Sequence, residues 1–163
     1  MLSKETLLSS LSTSLFGRKL FVFESIDSTN TCARTLAEAG MEEGAVVLAE
    51  YQTSGRGRHG RTWNAEPGEN LLFSVLLRPA IPRTSAGFLT FFAAVSVAQA
   101  LEEVSESRIE CKWPNDLLLN GKKVSGILLE NTFEKDRVDY SVIGIGINVN
   151  QSSFPNHLIP TAT

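Results

Sequence analysis

Residues 109–150 read IECKWPNDLLLNGKKVSGILLENTFEKDRVDYSVIGIGINVN, and this stretch decides the fold. Asn120-Gly121 separates one apolar run, 117–119, from another, 124–129. An Asn-Gly pair in that position is a strong hairpin signal, because both residues accept the positive φ that a two-residue turn requires. Glu134-Lys135-Asp136 then turns the chain into a further apolar run at 138–149. Hairpins in succession, with no helix between them, predict antiparallel pairing. Ile109 to Lys112 supplies a shorter strand, which stops before Pro114, a residue unable to donate to a central ladder.

Working outward from this core, residues 84–104 form the longest helix. Phe88, Leu89, Phe91, Phe92, Val95 and Leu101 cover most of its circumference, which predicts substantial burial. Residues 71–77 are a strand ended by Arg78-Pro79, and 45–49 are a short apolar strand. Between them, residues 55–68 are rich in Gly and Arg without periodicity and read as a loop. Residues 20–24 read as a strand. Ser28-Thr29-Asn30 makes a helix N-cap cluster, with Gly40 as the stop and Ala33, Leu36 and Ala37 facing inward. Leu7, Leu8, Leu11 and Leu15 suggest a short amphipathic helix over 4–15. The sum is an α+β domain: a mixed, largely antiparallel sheet with helices packed against it. A doubly wound parallel sheet would alternate strand and helix throughout.

Composition narrows the function. With 163 residues, 42% of them hydrophobic and 20% charged, the chain suits one globular domain. A net charge of −3 disfavours a general nucleic-acid binder. Cys32 and Cys111 form no metal-binding pair and read as free thiols of a reducing, cytoplasmic compartment. His59 and His157 lie near no further ligand pair, so no resident metal site is expected. The apolar stretch 87–101 is interrupted by Thr90, Ser96 and Gln99, and reads as too short and too polar to span a bilayer.

Four segments could carry chemistry. Gly55-Arg56-Gly57-Arg58-His59-Gly60 matches the GxGxxG spacing, but Trp63-Asn64-Ala65-Glu66-Pro67-Gly68 follows where a dinucleotide site needs a helix, so an oxidoreductase is disfavoured. What remains is a loop whose glycines let backbone amides approach an anion and whose arginines offer planar forks to carboxylate or phosphate. A solvated surface loop is the plain alternative. Lys112-Trp113-Pro114-Asn115-Asp116 puts a lysine at a strand end, which by itself is as easily an exposed charge, and Trp113 could be core. Gly126, in Ser125-Gly126-Ile127-Leu128-Leu129-Glu130, and Gly144 and Gly146, in Gly144-Ile145-Gly146-Ile147-Asn148-Val149-Asn150, suggest a groove in the sheet face, though tight packing explains any one of them. Gly121-Lys122-Lys123 lacks the earlier glycine of a Walker A loop.

Together with Asp27-Ser28-Thr29-Asn30 and the run from Gln52-Thr53-Ser54 into the Gly/Arg loop, these segments stand in an order that resembles the biotin–protein ligase family, monofunctional type. His59 replaces the arginine frequent in that pattern. The resemblance implies a class II aminoacyl-tRNA synthetase-like fold and ATP-dependent ligation of biotin, through biotinoyl-AMP, to a lysine of a biotin carboxyl carrier protein. It implies that Ser28, Thr29, Asn30, Gln52, Arg56, Gly57, Arg58, Lys112 and Gly126 bind biotin. It places Arg58, Arg61, Trp63, Asn115, Asp116 and Asn148 at the nucleotide, with Mg²⁺ brought by ATP, and gives catalysis to Lys112 and Arg58. It further implies no nucleic-acid or membrane partner and leaves a homodimer open. About twenty residues precede the first strand, too few for a three-helix DNA-binding unit. The chain, one catalytic domain over 1–163, is expected to stop at Pro160-Thr161-Ala162-Thr163, before a small C-terminal β-domain. A lipoate–protein ligase is the nearest rival, and a biotin-binding module without turnover the next.

Overall fold

The computed structural model describes residues 2–154; His157 and the expected stop at Pro160 to Thr163 lie outside the described residues. Seven strands form one sheet in the order β1-β2-β3-β7-β6-β5-β4: β1 (Leu20–Ile26), β2 (Val46–Gln52), β3 (Asn70–Leu77), β4 (Ile109–Lys112), β5 (Asp116–Leu119), β6 (Lys122–Glu134) and β7 (Arg137–Asn148). β1 and β2, joined by helix α2 (Thr29–Glu38), run parallel, and every other pairing is antiparallel. The α+β class and the mixed, largely antiparallel sheet are thus as expected. At the β5–β6 turn Asn120 and Gly121 take φ of 51° and 75°, the two positive angles for which that pair was read.

The register divides the sheet into two faces. β3 alternates strictly between buried and half-buried residues, with Leu72, Ser74 and Leu76 on one side. Ser74 pairs with Gly144 and Leu72 with Gly146, and Gly144 and Gly146 in turn oppose Leu128 and Gly126. This side carries α2, which seals one end of it through Ala33 and Ala37 against Val47, Leu76, Tyr140 and Val142. The opposite side packs Ile127, Ile143, Ile145 and Ile147 beneath helix α3 (Phe88–Ser105).

Two expectations are corrected here. Helix α1 (Lys4–Ser10) ends before Leu11 and Leu15. α3 is not buried round its circumference: Ala94, Val97 and Ala98 reach the core, while Phe88 and Phe92 are 59% and 70% exposed. A helix lying on one sheet face buries a single stripe, and α3 turns its small residues to the sheet, so its aromatics point away. With the 3₁₀ turn before it, Arg83–Ser105 is also long and apolar enough, at a mean hydropathy of 1.5, to cross a bilayer by length and composition. Length therefore gives no exclusion; the inner stripe packs on β4 and β6, while only 22% of the apolar window is buried.

Candidate active site

Beyond the end of α2 the glycine-bearing face opens into a cleft of about 830 Å³. Every residue picked out from the sequence lines it: Ser28, Thr29, Asn30, Gln52, Arg56, Gly57, Arg58, Arg61, Trp63, Lys112, Asn115, Asp116, Gly126 and Asn148. His59 lines it as well, in a left-handed conformation (φ 56°).

At the α2 end the cleft is lined by a largely buried hydrogen-bond network of neutral side chains, backed by the Glu130 carboxylate. Ser28 occupies the N-cap position, yet its hydroxyl makes no capping bond to the helix. The Thr29 amide and hydroxyl both donate to Gln52 Oε1, at 2.7 and 3.0 Å. The Gln52 carbonyl is therefore engaged. Ser74 Oγ lies 2.7 Å from Thr29 Oγ1 and 2.6 Å from Asn30 Oδ1. Asn30 Nδ2 donates to Glu130 Oε2 at 2.7 Å. Gly144 admits this asparagine, since a Cβ there would overlap Asn30 Oδ1 and stand 2.8 Å from its Cγ. Cys32, one turn further along α2, is half-buried, and desolvation, helped by Asp27, raises its thiol above the ordinary range.

The Gly/Arg loop folds across the cleft as a small hairpin of its own. Arg56 bridges Thr62, the Gly57 amide donates to the Arg61 carbonyl at 2.7 Å, and the Trp63 amide donates to the Gly55 carbonyl at 3.0 Å. Arg58 donates to Asn115 Oδ1 at 2.9 Å, and Arg56 pairs with Glu130 at 2.9 Å. The Trp63 ring lies in the trough cut by Gly126 and Gly146: a Cβ would stand 2.7 Å from a ring carbon at Gly126 and 2.5 Å from one at Gly146. The groove read from those strand glycines is therefore real, and an indole occupies it. Trp113, by contrast, is 76% exposed and not core.

Positive charge gathers at the other end. Lys112 lines the exposed rim at the end of edge strand β4. Lys123, absent from the sequence-based set, lies deeper. Its Nζ is 2.8 Å from Asp116 Oδ1, 5.3 Å from the Trp63 ring centroid and 3.2 Å from where a Gly126 Cβ would be. In sequence it is one half of a Lys-Lys pair after a turn, which reads as surface charge. Its pairing with Asp116 across β5 and β6, next to the register shift between Leu117 and Leu118, is visible only in three dimensions. Glu130, Ser74, Ile127 and Leu128 are also new. The strand pattern near Gly126 held Ile127, Leu128 and Glu130, but nothing in sequence singles out Ser74.

Comparison with known proteins gives one consistent picture. A profile described as the Biotin/lipoate A/B protein ligase family matches residues 22–148. The Bifunctional ligase/repressor BirA of Bacillus subtilis is 43% identical over 99% of this chain and 50% of its own length. The Biotin--[acetyl-CoA-carboxylase] ligase of Paracoccus denitrificans is 41% identical over 84% of this chain and 57% of its own. Among solved structures, the biotin protein ligase from Aquifex aeolicus in complex with biotin and ATP is 37% identical with a TM-score of 0.71, covering 90% of this chain and 59% of that one. The chain spans about half the length of the curated relatives it matches.

Proposed function

The chain belongs to the biotin/lipoate A/B protein ligase family, and on that premise we propose that it activates biotin with ATP to biotinoyl-AMP and transfers the biotinoyl group to a lysine of a biotin carboxyl carrier protein. The observation that carries this reading is the polarity of the cleft: a neutral hydrogen-bond pocket at one end, cations at the other, and an arginine loop across the top. Biotin has the same polarity, with a neutral ureido ring at one end and a carboxylate at the other.

At the ring end, Ser28 presents a hydroxyl that the helix does not use, and Gln52, its carbonyl engaged by Thr29, has its amide N–H₂ to offer a ligand. Fixed neutral donors and acceptors suit a ureido group, and a site built to satisfy such a group rejects analogues that lack it. Lipoate, with a dithiolane in place of the ureido ring, leaves these buried polar groups unpaired.

At the charged end the biotin carboxylate attacks the α-phosphorus of ATP. A carboxylate O–P bond forms and the bond to the departing pyrophosphate breaks. Both partners are anions, so preorganised cations lower the barrier. Lys123 takes the central position, with Arg58 from the loop. The resemblance gives catalysis to Lys112 instead, but Lys112 lies at the exposed rim and adds its charge from there. Asp116 holds Lys123 by its 2.8 Å ion pair. It is also the one carboxylate among the described cleft-lining residues, which fits a Mg²⁺ ion held mainly by phosphate oxygens; that ion would offset further negative charge. The acceptor lysine then attacks the acyl carbon and AMP departs. No side chain of the enzyme becomes acylated, so no nucleophile is required. Between the steps the loop shields the mixed anhydride from water.

Calorimetry tests the ligand assignment. Biotin binds the free protein, lipoate binds at least about tenfold more weakly, the penalty for unpaired buried polar groups, and NAD gives no heat. Tighter binding of lipoate than of biotin overturns the assignment, and a response to NAD would revive the dinucleotide reading of the glycine loop.

A further inference from the structure

Glu130 is not among the residues lining the cleft, yet its carboxylate joins the two halves of the site. One oxygen, Oε2, accepts from Asn30 Nδ2 at 2.7 Å and from Arg56 NH2 at 2.9 Å. Asn30 is buried and its other amide atom is committed to Ser74, so through Asn30 the carboxylate is continuous with the Thr29–Gln52 network. Arg56 sits on the loop at its bridge with Thr62, so holding Arg56 holds both legs of the hairpin that carries Arg58 and Trp63. We infer that Glu130 is a positioning residue: its charge latches the 55–67 loop through Arg56 in the ligand-free protein, while its hydrogen bond orients Asn30 in the neutral pocket.

The physics favours this assignment over a generic surface ion pair. The Glu130 side chain is 31% exposed and that of Arg56 38%, and the shared carboxylate oxygen is also anchored by a buried amide that cannot turn away. Only Arg56 is free to leave. A carboxylate arriving in the cleft is of the same chemical class as Glu130 and competes for the same fork. The latch itself is independent of the ligand; only its consequence for adenylation rests on the proposed function.

Limited trypsin digestion of the protein without ligand is the test, because the loop carries cleavable Arg58 and Arg61. Glu130→Gln keeps an acceptor for Asn30 but removes the charge. Cleavage after Arg58 and Arg61 rises about two- to fivefold, the scale of a part-exposed ion pair. Cleavage after Arg34, inside α2, stays at the parental rate and shows that the fold is intact. Salt raises the parental rate toward that of the variant and leaves the variant unmoved. Because the two residues act as one unit, cleavage in Arg56→Gln/Glu130→Gln is no faster than in either single variant. Equal loop cleavage in parent and Glu130→Gln overturns the latch, as does faster cleavage at Arg34 too, or additive effects in the double variant. Binding of biotin to these variants is a separate readout. A parent that binds no biotin defeats the proposed function while the digestion result stands.

Discussion

Lys123→Ala lowers single-turnover adenylation by about 10²–10³-fold, the usual loss on deleting one preorganised charge at a reacting centre, while biotin affinity stays within a few-fold of the parent. The neutral pocket around Ser28, Thr29 and Gln52 lies at the other end of the cleft and owes nothing to this lysine. Lys123 is fixed from two sides, by the Asp116 carboxylate at 2.8 Å and by the Trp63 ring 5.3 Å away, so its charge is placed before the substrates arrive. Lys112→Ala, at the exposed rim, costs no more than about fivefold, as exposed and screened charges do. Arginine at position 123 does not restore the rate, because a guanidinium spreads over a planar fork the charge that the ammonium concentrates at one point. Rapid-quench measurement of biotinoyl-AMP beside biotin binding checks all three variants. A large loss in Lys112→Ala with a parental rate in Lys123→Ala would exchange the two roles and put the reacting centre at the rim.

The second large effect is on stability. Gly144→Ala destabilises the protein by about 1–3 kcal/mol, the range for overpacking a well-packed site. A Cβ there overlaps Asn30 Oδ1 and sits 2.8 Å from Asn30 Cγ, and Asn30 cannot yield without giving up its bonds to Ser74 and Glu130. Biotin affinity falls with stability in this variant, since displacing Asn30 loosens the network at the ring end. Gly87→Ala is the control. Nothing stands within 4 Å of its Cβ position and its φ of −60° suits any residue, so stability changes by no more than about 0.5 kcal/mol. Urea unfolding midpoints at constant slope give both values. A parental midpoint for Gly144→Ala would mean that Asn30 is not held as described.

Much of this was legible before any coordinates. The Asn120-Gly121 and 134–136 turns are local signals with stereochemical causes, so the hairpins β5–β6 and β6–β7 could be read directly. The glycines of β6 and β7 announced a groove because a strand forgoes side chains only where something else approaches. Their register, Gly126 opposite Gly146, puts two of them side by side. What escaped depends on contacts between distant segments. Lys123 and Glu130 are ordinary charged residues until β6 places one beside Asp116 and the other beside Asn30 and Arg56. α3 misled because hydropathy reports how apolar a helix is and not which stripe meets the sheet. Its alanines do so, and Phe88 and Phe92 stay exposed.

The most direct test is the identity of the molecule left on the protein after incubation with biotin, ATP and Mg²⁺. Mass spectrometry of the extracted ligand should find biotinoyl-AMP, with pyrophosphate released in equal amount. When lipoate competes at the same concentration, biotinoyl-AMP should still dominate. Recovery of unchanged biotin alone would reduce the cleft to a binding site without turnover, and recovery of lipoyl-AMP in preference would contradict the account.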